Sequence, residues 1–145
     1  MLARLIYASE VATPLGPNDL TQMLRQARMR NAVRGITGLL VFDSKHFLQV
    51  IEGSPDAVNR LYARLVTDPR HARPTLLSYA QVEIRRFSQW QMGFVAADAQ
   101  HRELYGRLTA SMRFDPLAMR GDQAEELLWA LSPQAPIEQS EPASA

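Results

Sequence analysis

Apolar and polar residues alternate at the start of the chain, and that alternation predicts a short strand over residues 2–8. Ala3, Leu5 and Tyr7 share one face, and Leu2, Arg4 and Ile6 the other. Thr13-Pro-Leu-Gly-Pro-Asn-Asp19 is turn chemistry, with Asn18 or Asp19 placed to cap a helix. Leu20, Met23, Leu24 and Ala27 then recur at helical spacing and predict an amphipathic helix ending near Asn31. Two strands of a hairpin follow, Gly35-Ile-Thr-Gly-Leu-Leu-Val-Phe42 and His46-Phe-Leu-Gln-Val-Ile-Glu-Gly53, joined through Asp43, Ser44 and Lys45. Ser54-Pro55 opens a second helix. Its buried stripe is Val58, Leu61, Tyr62 and Leu65, and it stops before Pro69. A loop, Asp68-Pro-Arg-His-Ala-Arg-Pro74, leads to a strand over residues 75–84 and a shorter one over 91–95.

The order β-α-β-β-α-β with one extra strand predicts an α+β, ferredoxin-like sandwich, two helices lying on one face of a mainly antiparallel sheet. Both faces of the first strand carry apolar residues, so the second face needs a cover too. Helical segments over 100–112 and 116–131 can supply it, through Leu104, Leu108 and Met112 and through Leu127, Leu128 and Leu131. The expected division is a body over 1–97, a helical extension over 98–132 and a disordered tail over 133–145.

Composition changes this picture little. The 145 residues, 46% of them hydrophobic and 21% charged, fit one globular domain. A net charge of +1 supplies no field to draw nucleic acid or a membrane surface, and neither is expected as a partner. The absence of cysteine excludes disulfides, thiol catalysis and iron–sulfur clusters. No apolar run is long enough for a bilayer, and the amino terminus lacks a secretory layout, so a cytoplasmic location is expected. His46, His71 and His101 lack metal-ligand spacing; they read as surface or loop histidines, and no metal is expected. Gly35 and Gly38 fall in a strand pattern, where glycine permits close backbone approach rather than cradling a phosphate. Arg85-Arg86-Phe87 lacks the aromatic sheet signature of RNA recognition.

Three polar residues fall where periodicity predicts core. Gln49 shares its strand face with Phe47 and Ile51, and Tyr7 shares its own with Leu5. Asn31 continues the inward helical stripe of Leu24 and Ala27. A buried amide without partners costs on the order of 2–7 kcal/mol, so each of these groups needs a hydrogen bond. In a ferredoxin-like sheet the first and third strands are central antiparallel neighbours, which puts Tyr7 and Gln49 side by side beneath Asn31. A neutral planar ligand with carbonyl and imide groups would satisfy this set. One buried Gln or Tyr is ordinarily a satisfied core residue; three on converging elements leave packed core and ligand pocket both open.

These residues belong to a longer pattern. Leu5-Ile-Tyr-Ala-Ser9, Ala27-Arg28, Asn31, Gly35-Ile-Thr-Gly-Leu-Leu40, Phe47-Leu-Gln-Val-Ile-Glu-Gly53, Asp68-Pro-Arg-His71 and Trp90-Gln-Met-Gly-Phe94 occur in order over residues 2–95. Together they resemble the BLUF domain, a blue-light sensor that binds FAD. The absence of a second module resembles the short members of that family.

The resemblance implies FAD as cofactor, with FMN or riboflavin as substitutes, and a photoreceptor rather than an enzyme. Tyr7 matches the tyrosine that gives an electron and a proton toward the excited flavin. Gln49 matches the glutamine whose amide rearranges, changing the hydrogen bond to the flavin carbonyl and shifting absorption to the red. Asn31 matches the asparagine on the imide edge. Arg30, Arg70 and His71 are further expected cofactor contacts; on their own chemistry Arg70, His71 and Arg73 form a basic loop that is either solvent-exposed, the commoner case, or placed to meet the FAD phosphates. Ser9, Trp90 and Met92 match positions that respond to the glutamine and transmit its state.

Two residues depart from the pattern. Arg30 stands where members often carry His or Asn, and Gln91 where Ser or Ala is frequent. The first bears on flavin affinity and recovery; the second bears on the surroundings of Trp90. A ferredoxin-like interaction module and a small flavin-dependent enzyme are the alternative readings. Output is expected through an unidentified downstream signalling protein. The apolar stripes of the extension would suit either that partner or a homo-oligomer such as a dimer.

Overall fold

The computed structural model describes residues 1–109 and 111–136. Strand β1 (Leu2–Val11) leads into helix α1 (Pro17–Arg34), the hairpin β2 (Thr37–Phe42) and β3 (His46–Gly53), helix α2 (Pro55–Leu65) and strand β4 (His71–Val82). A short β5 (Gly93–Ala96) and helices α3 (Arg102–Leu108) and α4 (Gly121–Leu131) complete the order. The five strands form one sheet in the order β4-β1-β3-β2-β5, antiparallel except for β2 against β5. This is the expected α+β, ferredoxin-like arrangement, with β1 and β3 adjacent at its centre.

Local chemistry sets the element ends. Helix α1 begins at Pro17, and Asp19 reaches back to accept the Gly16 N–H at 2.9 Å. It runs three residues past the expected end at Asn31, to Arg34. Gly35, at φ 68°, is where the backbone turns left-handed at no steric cost. Strand β4 starts earlier than the expected residue 75, because His71 and Ala72 pair with Val11 and Glu10 across irregularities in the β1 ladder. Strand β5 begins two residues later than expected, at Gly93.

The sheet is covered on both faces. On one side Leu5, Tyr7, Phe47 and Ile51 pack under α1 and α2, with Leu24, Val58 and Leu61 above them. On the other, Ile6, Ala8, Leu39, Val41, Leu48 and Val50 meet Tyr105, Leu127, Leu128 and Leu131 of the extension. The covering helices are shorter than expected. Residues 99–101 are a 3₁₀ turn before α3, and 116–118 another well before α4. Thr109 closes α3 by turning its hydroxyl onto the Tyr105 carbonyl, and Met112, counted in the expected stripe, is exposed. Helix α4 starts at Gly121, where a Cβ would come within 2.4 Å of the Leu77 carbonyl of β4.

The expected tail begins in packed structure: Ser132–Gln134 is a 3₁₀ turn and Ala135 is buried. Its remaining part, 137–145, lies outside the described residues. Among the described residues no helix is long and apolar enough to cross a membrane.

Candidate functional site

Tyr7 and Gln49 are directly opposed in the β1–β3 ladder and both point to the α1/α2 side. Strict two-residue alternation puts them there: Tyr7 follows Leu5, and Gln49 stands between Phe47 and Ile51 on the same face. Both are buried. The Tyr7 hydroxyl donates to Gln49 Oε1, and Gln49 Nε2 donates to Met92 Sδ at 3.1 Å. Burial holds the Tyr7 phenol far above its ordinary range, with Asp68 and Tyr62 adding to the shift, so the group stays protonated.

The cleft over this pair has α1 on one side and α2 on the other. Leu24, Ala27 and Asn31 line it from α1; Leu61 and Leu65 line it from α2. Asn31 is buried, and its Nδ2 donates to the Gln91 carbonyl at 2.6 Å. That leaves the other amide N–H and the carbonyl oxygen of this side chain for other partners.

Charged groups sit at the rim. Arg70 forks onto Asp68, with Nε and Nη2 both bonded to the carboxylate; this pairing holds the Asp68 carboxyl below its usual range. Arg30 lines the cleft from an exposed position. Partial burial lowers its pKa first, and the neighbouring cations Arg64, Arg70 and Arg34 lower it further. His71 lies edge-on to Tyr7, with ring centroids 5.9 Å apart, and Nδ1 is 2.7 Å from Ser9 Oγ. Burial pushes its imidazole below 6.5.

The cleft therefore brings together Tyr7, Gln49, Asn31, Arg30, Arg70, His71 and Met92. Three of the singled-out residues lie elsewhere. Ser9 is buried beside His71 rather than beside Gln49. Trp90 is buried on the opposite face of the sheet, where its indole N–H donates to the Pro136 carbonyl at 3.1 Å. Arg73 bonds Glu10 at 2.8 Å instead of facing the cleft.

The reading of all three histidines as surface or loop groups does not hold for His101. It is buried, with Nε2 2.8 Å from Gln134 Oε1, because the turn before α3 packs on the 132–134 turn. Among the described residues no three His, Asp or Glu side chains gather as a metal site.

Two residues of the quoted pattern had no role in the sequence reading: Arg28 beside the site, and Glu52 behind it on the other face of the sheet. Arg28 donates from Nε to the Met92 carbonyl at 3.0 Å. Glu52 is fully buried, accepting from Arg4 Nε and from the backbone N–H groups of Arg86 and Phe87. A charged residue closing an apolar strand, with Arg4 on the neighbouring strand, was the available signal.

The chemistry of the donor set fits an isoalloxazine. Neutral amides and a neutral phenol sit among apolar walls, the Asp68 carboxylate is tied to Arg70, and Arg30 and Arg70 line the cleft.

Comparison with known proteins agrees. The sequence model of the family described as BLUF, sensors of blue-light using FAD, matches residues 2–93. The photoactivated adenylate cyclase subunit beta of Euglena longa is 37% identical over 93 residues, covering 63% of this chain and 11% of that protein. The blue light- and temperature-regulated antirepressor BluF of Escherichia coli (strain K12) is 33% identical over 89 residues, covering 61% of this chain and 22% of that protein. The chain thus spans only about a tenth to a fifth of the length of these two relatives. Among solved structures, BlrB, a BLUF protein in its dark state, superposes with a TM-score of 0.75 at 30% identity. That match covers 90% of this chain and 94% of BlrB. The photo-activated state of BlsA superposes with a TM-score of 0.81 at 25% identity, covering 97% of this chain and all of that one.

Proposed function

The chain belongs to the BLUF family of blue-light sensors using FAD, and from that premise we propose that light is read through the Tyr7–Gln49–Met92 chain of hydrogen bonds. The flavin, when bound, supplies a photoexcitable electron acceptor. Asn31 would hold its imide edge, and Arg30, Arg70 and His71 would meet the rest of the cofactor from the rim. FMN or riboflavin would fit the same inner contacts.

Tyr7 is held as a neutral phenol, a poor reductant in the dark. On excitation of a bound flavin, Tyr7 would give that flavin an electron and, from Oη, release its proton, for which Gln49 Oε1 is the adjacent acceptor. Electron and proton return to Tyr7 afterwards. With its partner altered, the Gln49 amide exchanges its donor and acceptor ends, since an amide presents both at nearly equal volume. In that arrangement Gln49 would donate to the carbonyl of a bound flavin, which would lower its excitation energy.

The observation that supports this reading best is the buried triad itself: a phenol, an amide and a weakly accepting thioether in one line. Of its two bonds, the thioether one is readily exchanged. Signalling would follow by an effector reading the Gln49 state. The names of the relatives couple such a sensor to an adenylate cyclase or to an antirepressor. Absorption spectroscopy of the purified chain tests the proposal. A stoichiometric flavin whose blue band shifts to the red under illumination and returns in the dark is expected. Net bleaching of the band would instead indicate accumulated flavin reduction, and a colourless protein would indicate a plain interaction module.

A further inference from the structure

Residues 90 and 92 are two apart, and on a regular strand they would share a face. They do not: Trp90 packs in the core under α4, Met92 in the core under α1 and α2. The backbone here lies outside the strands, since β5 starts only at Gly93. Its conformation is set by donors distant in sequence. The carbonyls of Trp90, Gln91 and Met92 accept in turn from Gly38 N at 2.9 Å, Asn31 Nδ2 at 2.6 Å and Arg28 Nε at 3.0 Å. Arg28 and Asn31 are three residues apart on α1, so one helix grips two successive carbonyls.

The Gln49–Met92 contact cannot supply this order by itself, because a thioether is a weak acceptor. The guanidinium is a stronger source. It bonds the carbonyl in the manner of a guanidinium donor, stronger than a thioether contact, and it is mounted on a helix.

We propose that Arg28 is a positioning residue of the photocycle. By holding the Met92 carbonyl it keeps the Met92 thioether in front of the Gln49 amide, and so sets how fast the rearranged amide returns to the dark arrangement. The inference rests on the reading of Gln49 given above. Return requires Met92 to be in place as the acceptor; a loosened segment presents it less often, and recovery slows.

The test compares dark recovery of the full flavin-loaded chain with that of R28M and R28K. Methionine keeps much of the alkyl stem and removes the donor, whereas lysine restores a charged donor. R28M is expected to keep the flavin and the size of the red shift but to recover at least about threefold more slowly, with R28K within about twofold of wild type. A smaller slowing in R28M, or R28K as slow as R28M, overturns the proposal. Should R28M lose its flavin, the side-chain Nε–H resonance of Arg28 in ¹⁵N-labelled wild type decides. It is expected to exchange slowly in the dark and to shift reversibly in light, and an unmoved resonance overturns the proposal. A wild-type chain with no reversible red shift defeats the reading of Gln49. A normal shift with equal recovery in all three chains defeats Arg28 alone.

Discussion

Arg4 and Glu52 face each other across β1 and β3, Nε to Oε2 at 2.8 Å, three ladder steps from the Tyr7–Gln49 pair and on the opposite face of the sheet. Glu52 also takes the N–H groups of Arg86 and Phe87. Arg86 in turn bonds Glu125 and Glu126 and lies 4.7 Å over the Trp129 ring of α4. The two strands that carry the Tyr7–Gln49 pair on one face thus carry, on the other, the charge network that fastens α4.

Removing one member of that pair strands a buried carboxylate. Arg4→Met is expected to destabilise the chain by about 3 kcal/mol, measured by urea unfolding, because a broken buried pair costs more than the pair contributes. The red shift proposed for the Tyr7–Gln49 pair should keep its size, since the α1/α2 face is untouched.

Tyr7→Phe keeps the ring and its packing against Tyr62 and His71 while deleting the donor to Gln49. The variant is expected to bind FAD and to show no reversible red shift under steady blue light. A normal shift would remove Tyr7 from the account.

Gln49→Leu is close in volume and suits the Phe47/Ile51 face, so the fold should stand. No amide remains to rearrange, and the light-minus-dark absorption difference should vanish. An unchanged difference spectrum would defeat the assignment.

His71 gives a pH dependence with a definite sign. Burial lowers its folded-state pKa below 6.5, so the unfolded chain takes up the proton first as pH falls. The favourable contribution is complete above the unfolded value and is lost on acidification below it. Urea midpoints between about pH 7 and about pH 5 should fall less steeply in His71→Gln than in wild type. Equal slopes would show that His71 does not carry the effect.

Much of this architecture could be read from residue order, for a physical reason. Two-residue alternation is strict wherever a strand is buried, so Tyr7 with Leu5 and Gln49 with Phe47 had to share the α1/α2 face. Asn31 followed from helical spacing. What escaped the reading depends on partners far along the chain. Trp90 and Met92 separate onto opposite faces, and the backbone between them is held by donors from Gly38, Asn31 and Arg28, far along the chain. The late start of α4 comes from Gln123 capping the Arg120 N–H and from Gly121 lying against Leu77, neither visible as periodicity. The burial of His101 likewise depends on a contact 33 residues distant.

The central claim is that light rearranges the Gln49 amide against the flavin carbonyl. Light-minus-dark infrared spectroscopy of the FAD-loaded chain, with Gln49→Leu as control, reads that carbonyl directly. The account predicts a flavin C4 carbonyl stretch that moves to lower wavenumber on illumination, returns in the dark and stays fixed in Gln49→Leu. A red shift in absorption accompanied by an unmoved carbonyl stretch in wild type would contradict it.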